Sequence, residues 1–126
     1  MIGGGLVAVN LFIGGFIIAS RSSESQALPI EVEQVIPAPG SVIAPQDGVQ
    51  VDLADEYTGV LVIDGKEIPL DQLTVVLPLG QVSFRPGPGL DITRFLPGPH
   101  VVRVVYWRQA ESRQHSRAFV WRFTAG

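Results

Sequence analysis

Hydrophobic positions follow two different rhythms along this chain. Residues 2–20 read IGGGLVAVNLFIGGFIIAS, with no charge, no proline and one strongly polar side chain, Asn10. At about 1.5 Å per residue this run predicts a helix of roughly 28 Å, close to the hydrocarbon thickness of a bilayer. A helix that is apolar all round does not fit the small core of a domain this size. The segment 1–20 is therefore predicted to be one transmembrane α-helix. Residues 21–29 are polar and serine-rich before Pro29, which cannot continue a helix, and they read as a linker.

From residue 30 the period falls to two. Ile30 and Val32 alternate with Glu31 and Glu33, which predicts a first strand with Ile30, Val32 and Gln34 on one side. The stretch IPAPGSVIAP interrupts it. Further strands are predicted at 50–53 (QVDL), 60–63 (VLVI), 73–77 and 81–84. Asp64-Gly65 directly after VLVI is a hairpin signal, with Lys66 to Ile68 returning until Pro69. Rigid turns at RPGPGL and Pro97-Gly98-Pro99 lead into 100–107 (HVVRVVYW), the strongest strand pattern present. A polar loop, 109–116, separates it from 118–124 (AFVWRFT). Phe84, Val102, Val104, Tyr106, Phe119, Trp121 and Phe123 form the expected core, and Trp107 falls in the outward phase. About seven short strands, with no helical periodicity after residue 28, predict an all-β antiparallel sandwich over residues 30–126.

Composition narrows the chemistry. The absence of cysteine excludes disulfides, thiolate metal sites and thiol nucleophiles. Ten prolines and fourteen glycines suit short strands joined by turns. A net charge of −3 is too small to indicate nucleic acid as a partner.

The apolar segment has a face. Gly4, Ala8, Leu11, Gly15 and Ala19 recur at helical spacing, and small residues so placed let a second helix approach closely. Asn10 sits near mid-membrane, where an unpaired amide is costly, so a neighbouring helix is its expected partner. A cleaved secretory signal is the competing reading, with Ser25-Gln26-Ala27 as the cleavage site. No Lys or Arg precedes the run, and the run is long for a signal core. Flanking charge orients it only weakly, since Arg21 stands alone on the C-terminal side. The sandwich is expected outside the cytoplasm, by analogy with domains of its type.

The stretch FLPGPHVVRVVYW followed by AFVWRFTAG resembles the end of a bacterial immunoglobulin-like domain. In that family a Leu-x-Pro-Gly-x-His turn enters the penultimate strand; here Leu96 is followed directly by Pro97-Gly98, then Pro99 and His100. IPAPGSVI and VDLADEYTGVLVIDGKEIP are similar to the front of the same fold. The whole resembles small actinobacterial membrane proteins of one span and one such domain. The resemblance implies an immunoglobulin-like fold and carries no catalytic motif.

The residues offer little for catalysis. His100 lies at a turn–strand junction, where capping the backbone is its expected role, and His115 lies in a polar loop. No serine sits in a nucleophile-elbow pattern. Asp55-Glu56 and Asp64/Glu67 are at turns, where carboxylates are expected in solvent. No metal, cofactor, nucleic acid or small-molecule substrate is expected.

Charge, however, is segregated. Residues 22–84 hold ten acids against Lys66, whereas residues 85–126 hold seven arginines against two acids. Cross-strand pairing absorbs such a distribution in a sandwich. The alternative is a docking surface for an acidic partner, made by Arg103, Arg108, Arg113, Arg117 and Arg122 on the last hairpin.

The expectation is a non-catalytic, single-pass accessory subunit of a larger plasma-membrane complex, contacting lipid and other subunits through the span. A bioenergetic assembly such as a respiratory complex is one such host. The alternative is a membrane-anchored envelope module that binds glycan or protein, using aromatics such as Tyr57 or Trp107.

Overall fold

The structure, a computed structural model, describes residues 27–126. The predicted span, with Gly4, Ala8, Asn10, Leu11, Gly15 and Ala19, lies outside the described residues, as does most of the linker. Among the described residues no helix is long and apolar enough to cross a membrane.

Alternating apolar residues build nine strands: β1 (Val32–Ile36), β2 (Val42–Ile43), β3 (Val49–Leu53), β4 (Tyr57–Ile63), β5 (Lys66–Glu67), β6 (Thr74–Val76), β7 (Gln81–Phe84), β8 (Gly98–Arg108) and β9 (Arg117–Ala125). They form two sheets, one in the order β2-β9-β8-β4-β5 and the other β1-β3-β7-β6. This is an all-β two-sheet sandwich. The two strands beyond the seven expected are β2 and β5, of two residues each, and β5 is the return of the hairpin expected at Lys66 to Ile68. Neither is long enough to show a period in the sequence.

The core is the contact between the two inner faces. Val102, Val104 and Tyr106 from β8 and Phe119, Trp121 and Phe123 from β9 are all buried, and Phe84 joins them from the other sheet. The ladder pairs Phe119 with Val104 and Trp121 with Val102, so the aromatic and branched residues share one surface. Trp121 donates its indole N–H to the Pro37 carbonyl, 3.0 Å away, which ties the proline-rich segment to the sheet. The unbroken apolar run in β4 is buried on both faces: Leu61 and Ile63 join the core, and Val60 and Val62 are covered too.

The front of the chain departs from the simple alternation. Ile30 is 89% exposed rather than inward, because the Val32 N–H donates to the Pro29 carbonyl and turns the chain before the strand begins. A register shift between Val32 and Gln34 then inserts one residue, so Val35 and not Gln34 continues the inward phase. Residues 73–77 shorten to β6, and Leu77–Leu79 becomes a 3-10 turn. One pair also breaks the antiparallel rule: β2 lies parallel to β9, with Thr124 opposite Val42.

Gly59 is the tightest point in the larger sheet. A Cβ there would stand 2.5 Å from the Val105 carbonyl oxygen and 3.2 Å from the Tyr106 Cα. Both are backbone atoms of a strand fixed on its other side by β9, so neither can retreat cheaply. Gly59→Ala is expected to cost about 1–3 kcal/mol through overpacking, read as a lowered urea midpoint with an unchanged slope.

Candidate functional site

The last hairpin carries the arginines singled out by charge, and the fold separates them into two groups. Arg113 forms a two-bond pair with Glu67, at 2.5 and 3.0 Å. Its guanidinium also lies 5.9 Å from the centre of the Trp107 ring. The Arg113 hydrogen bond holds the Glu67 carboxyl below the usual carboxylate range against the opposing effect of burial, and the Arg113 charge adds to it. Arg117 pairs with Glu31 at 2.9 Å, and Glu31 also lies 3.4 Å from the Tyr106 hydroxyl. Arg108 reaches Glu56 at 3.7 Å and stands 5.3 Å from the centre of the Tyr57 ring.

Arg103 and Arg122 differ. Both are exposed in the outward phase of β8 and β9. Arg103 is opposite Val120 and Arg122 opposite Val101, so the two are diagonal neighbours on one face. Diagonal residues in a sheet stand about 7–8 Å apart, close enough for two long side chains to meet one acidic group. Neither forms an ion pair among the described residues.

A groove of about 500 Å³ opens where β4 and β6 approach. Thr58, Val60, Leu70, Val75, Leu77 and Trp107 line it, and the Glu67–Arg113 pair stands on its rim. Leu70 and Leu77 are 67% and 49% exposed. Gln109 fixes one end by donating from Nε2 to both the Tyr57 and Leu77 carbonyls. Trp107 was legible as an outward aromatic, but the leucines were not. They lie in 3-10 turns, outside any strand period.

A polar depression of about 430 Å³ lies at the hairpin end between Tyr57, Tyr106, Arg108 and Arg117, and His115 is on its wall. Tyr106 is pushed above the usual tyrosine value, first by burial and then by the Glu31 charge. Among the described residues no group of three or more His, Cys, Asp or Glu side chains is placed to hold a metal ion.

His100 does more than cap a backbone. Its Nδ1 is 2.6 Å from an Asp64 carboxylate oxygen and its Nε2 is 2.7 Å from the Leu96 carbonyl. Both partners are acceptors, so the arrangement is satisfied in full when both ring nitrogens carry a proton. Burial works against that charge, but the Asp64 hydrogen bond, the Leu96 carbonyl and the Asp64 charge together raise the pKa above the ordinary value. Asp64 is itself set by the tight turn: it has a φ of 52° and takes the Val101 N–H on its other oxygen at 2.9 Å. Phe95 and Phe123 pack on the ring at 5.3 and 5.4 Å between centroids.

No protein-family description and no curated protein matches this chain. Several solved structures share its fold. PcoC, a methionine-rich copper resistance protein from Escherichia coli, superposes with a TM-score of 0.54 at 12% identity, over 76% of this chain and 97% of that one. CopC from Methylosinus trichosporium OB3b gives 0.50 at 14% identity, over 75% of this chain and 90% of that one. The endo-beta-1,4-mannanase from Thermotoga petrophila gives 0.52 at 16% identity, over 72% of this chain but 18% of the enzyme. At such identities the likeness establishes the sandwich fold alone.

The His100 geometry sets a pH dependence. A raised folded-state pKa stabilises the protein fully below the ordinary imidazole value of about 6.5. That contribution disappears as pH rises through the folded-state value. The thermal unfolding midpoint of the wild type should therefore fall as pH rises from about 6.5 through the raised folded-state value, and His100→Gln should flatten that part of the profile.

Proposed function

We propose that this chain is a non-catalytic, single-pass accessory subunit of a larger membrane complex. Its immunoglobulin-like sandwich covers an extracytoplasmic face of that complex. The observation that carries the reading is the division among the arginines. Three are committed to acids of their own domain, while Arg103 and Arg122 stand together on the exposed sheet face. Arginine in such a position supplies planar donors for an acidic partner surface. The apolar segment 2–20 supports the reading from the other side, since its stripe of Gly4, Ala8, Gly15 and Ala19 suits close packing against a partner helix. A respiratory or other bioenergetic assembly has the required form.

A second reading is favoured by the groove. Trp107, half-buried among leucines and valines, gives an anchored envelope module a place to hold a glycan or protein ligand.

Isolation from native membranes in mild detergent, followed by mass spectrometry, distinguishes the two. An accessory subunit should bring a stoichiometric set of polytopic partners. Gly15→Leu or Ala8→Leu should lose them, and Arg103→Glu with Arg122→Glu should weaken the assembly about tenfold, equivalent to about 1.4 kcal/mol. A chain that elutes alone, or only with itself, overturns the subunit reading.

A further inference from the structure

The turn that leads into β8 is closed by a side chain instead of by the backbone. Residues 95–100 read FLPGPH, and neither Pro97 nor Pro99 has an N–H to donate. Among the described residues no backbone hydrogen bond links the Leu96 carbonyl to the residues that follow it up to His100. The bond that closes the turn is the one from the His100 Nε2 to that carbonyl, at 2.7 Å. Packing adds little, since Leu96 is 64% exposed. The two sides of the turn are fixed independently. Phe95 is buried and donates its N–H to the Pro45 carbonyl, while Gly98 and Pro99 lie opposite Ala125 and Thr124 of β9. Only Leu96 and Pro97, between them, depend on the His100 bond.

The other ring nitrogen has a firmer partner. Asp64 is tied to β8 twice over: its N–H donates to the Val101 carbonyl at 2.8 Å, and its Oδ1 accepts the Val101 N–H at 2.9 Å. Its Oδ2 stands 2.6 Å from the His100 Nδ1. Phe95 and Phe123 pack on the ring and keep it from turning away. A neutral imidazole has one proton for these two acceptors. It keeps that proton on Nδ1, facing the carboxylate, and turns the Nε2 lone pair on the Leu96 carbonyl. Two acceptors cannot remain 2.7 Å apart with no hydrogen between them. The other charges near the ring leave this choice unchanged. Asp91 and Arg94 share a pocket of about 320 Å³ with Asp64 and His100, Asp91 is paired with Lys66 at 3.4 Å, and the β9 residue against the ring is the uncharged Phe123.

We infer that His100 is a proton-operated latch, which holds Leu96 and Pro97 down when both ring nitrogens carry a proton and releases them when the ring is neutral. The Asp64 bond and charge and the Leu96 bond place the change above the ordinary imidazole value, although burial opposes them. The His100 side chain is 11% exposed with the latch closed, so release uncovers it and alters the surface at that end of the sandwich. The latch lies away from the segment 1–20 and takes no part in the exposed face of Arg103 and Arg122, so it stands independently of the accessory-subunit reading.

The test is an NMR titration of the full isotope-labelled chain in lipid nanodiscs, taken upward from about pH 5. The neutral His100 ring is expected to carry its proton on Nδ1. The order parameter of the Leu96 amide is expected to fall with the same midpoint as the His100 ring, while those of Phe95 and Val101 hold. In His100→Gln the Leu96 amide should no longer respond to pH. Asp64→Asn keeps the turn, because Asn tolerates the φ of 52° and its carbonyl still accepts the Val101 N–H. That variant should move the His100 midpoint down, and the Leu96 transition should move down with it. The inference is overturned if the Leu96 amide stays ordered while the ring loses its charge, or if the neutral ring holds its proton on Nε2. A Leu96 transition that persists in His100→Gln, or that parts from the His100 midpoint in Asp64→Asn, overturns it as well. So does loss of order at Phe95 and Val101 together with Leu96, which is unfolding of that whole end and not release of a turn.

Discussion

Val102, Val104 and Tyr106 on β8 share one surface with Phe119, Trp121 and Phe123 on β9, and the second sheet closes against that surface. Each large aromatic side chain buries about 150–250 Å². At about 25 cal/mol per Å² of apolar area, each contributes several kcal/mol before chain entropy is subtracted. A slip of one residue in either strand would exchange these positions for Arg103 or Arg122. Placing an unpaired guanidinium in the core costs more than any realignment could recover. The pairing is therefore specified both by what it buries and by what it keeps out. The β4 contacts, the Trp121 bond to Pro37 and the placement of His100 all depend on it.

The legible part of the fold is the part governed by short-range rules. HVVRVVYW and AFVWRFT show strict alternation with large residues, and all of the core residues expected from them are buried. Asp64-Gly65 carries its own turn geometry, with positive φ at both residues. Residues without a local period were less legible. The bulge after Val32 reverses the phase of β1, and no single residue announces an insertion. Leu70 and Leu77 form one wall of the groove only because two 3-10 turns bring them beside β4. The clamp on His100 joins residues 36 apart, and each of its parts looks like ordinary turn punctuation alone.

The segregation of charge has a structural resolution. The chain places its acids early and its arginines late, but the sandwich interleaves early and late strands. Glu31 and Glu67 thereby meet Arg117 and Arg113 across separations of 86 and 46 residues. Exposed pairs of this kind are individually worth little, about 0–1 kcal/mol. Their effect is on the pattern of the surface. By occupying most of the hairpin's arginines they leave a small, defined cationic spot on one sheet face in place of a long basic stripe.

The bond between Glu31 and Arg117 also fixes where the chain enters the sandwich. It holds the first described residues at the hairpin end, beside Tyr106, whereas His100 lies six positions further back along β8. At about 3.3 Å per residue that is roughly 20 Å, more than twice the Debye length of about 8 Å at physiological salt. Charged surfaces concentrate or deplete protons only within such a distance. A charged surface that met the domain at that hairpin end would thus leave His100 outside its ionic atmosphere. The His100 ring would then follow the acidity of the bulk solvent and not that of the layer next to such a surface.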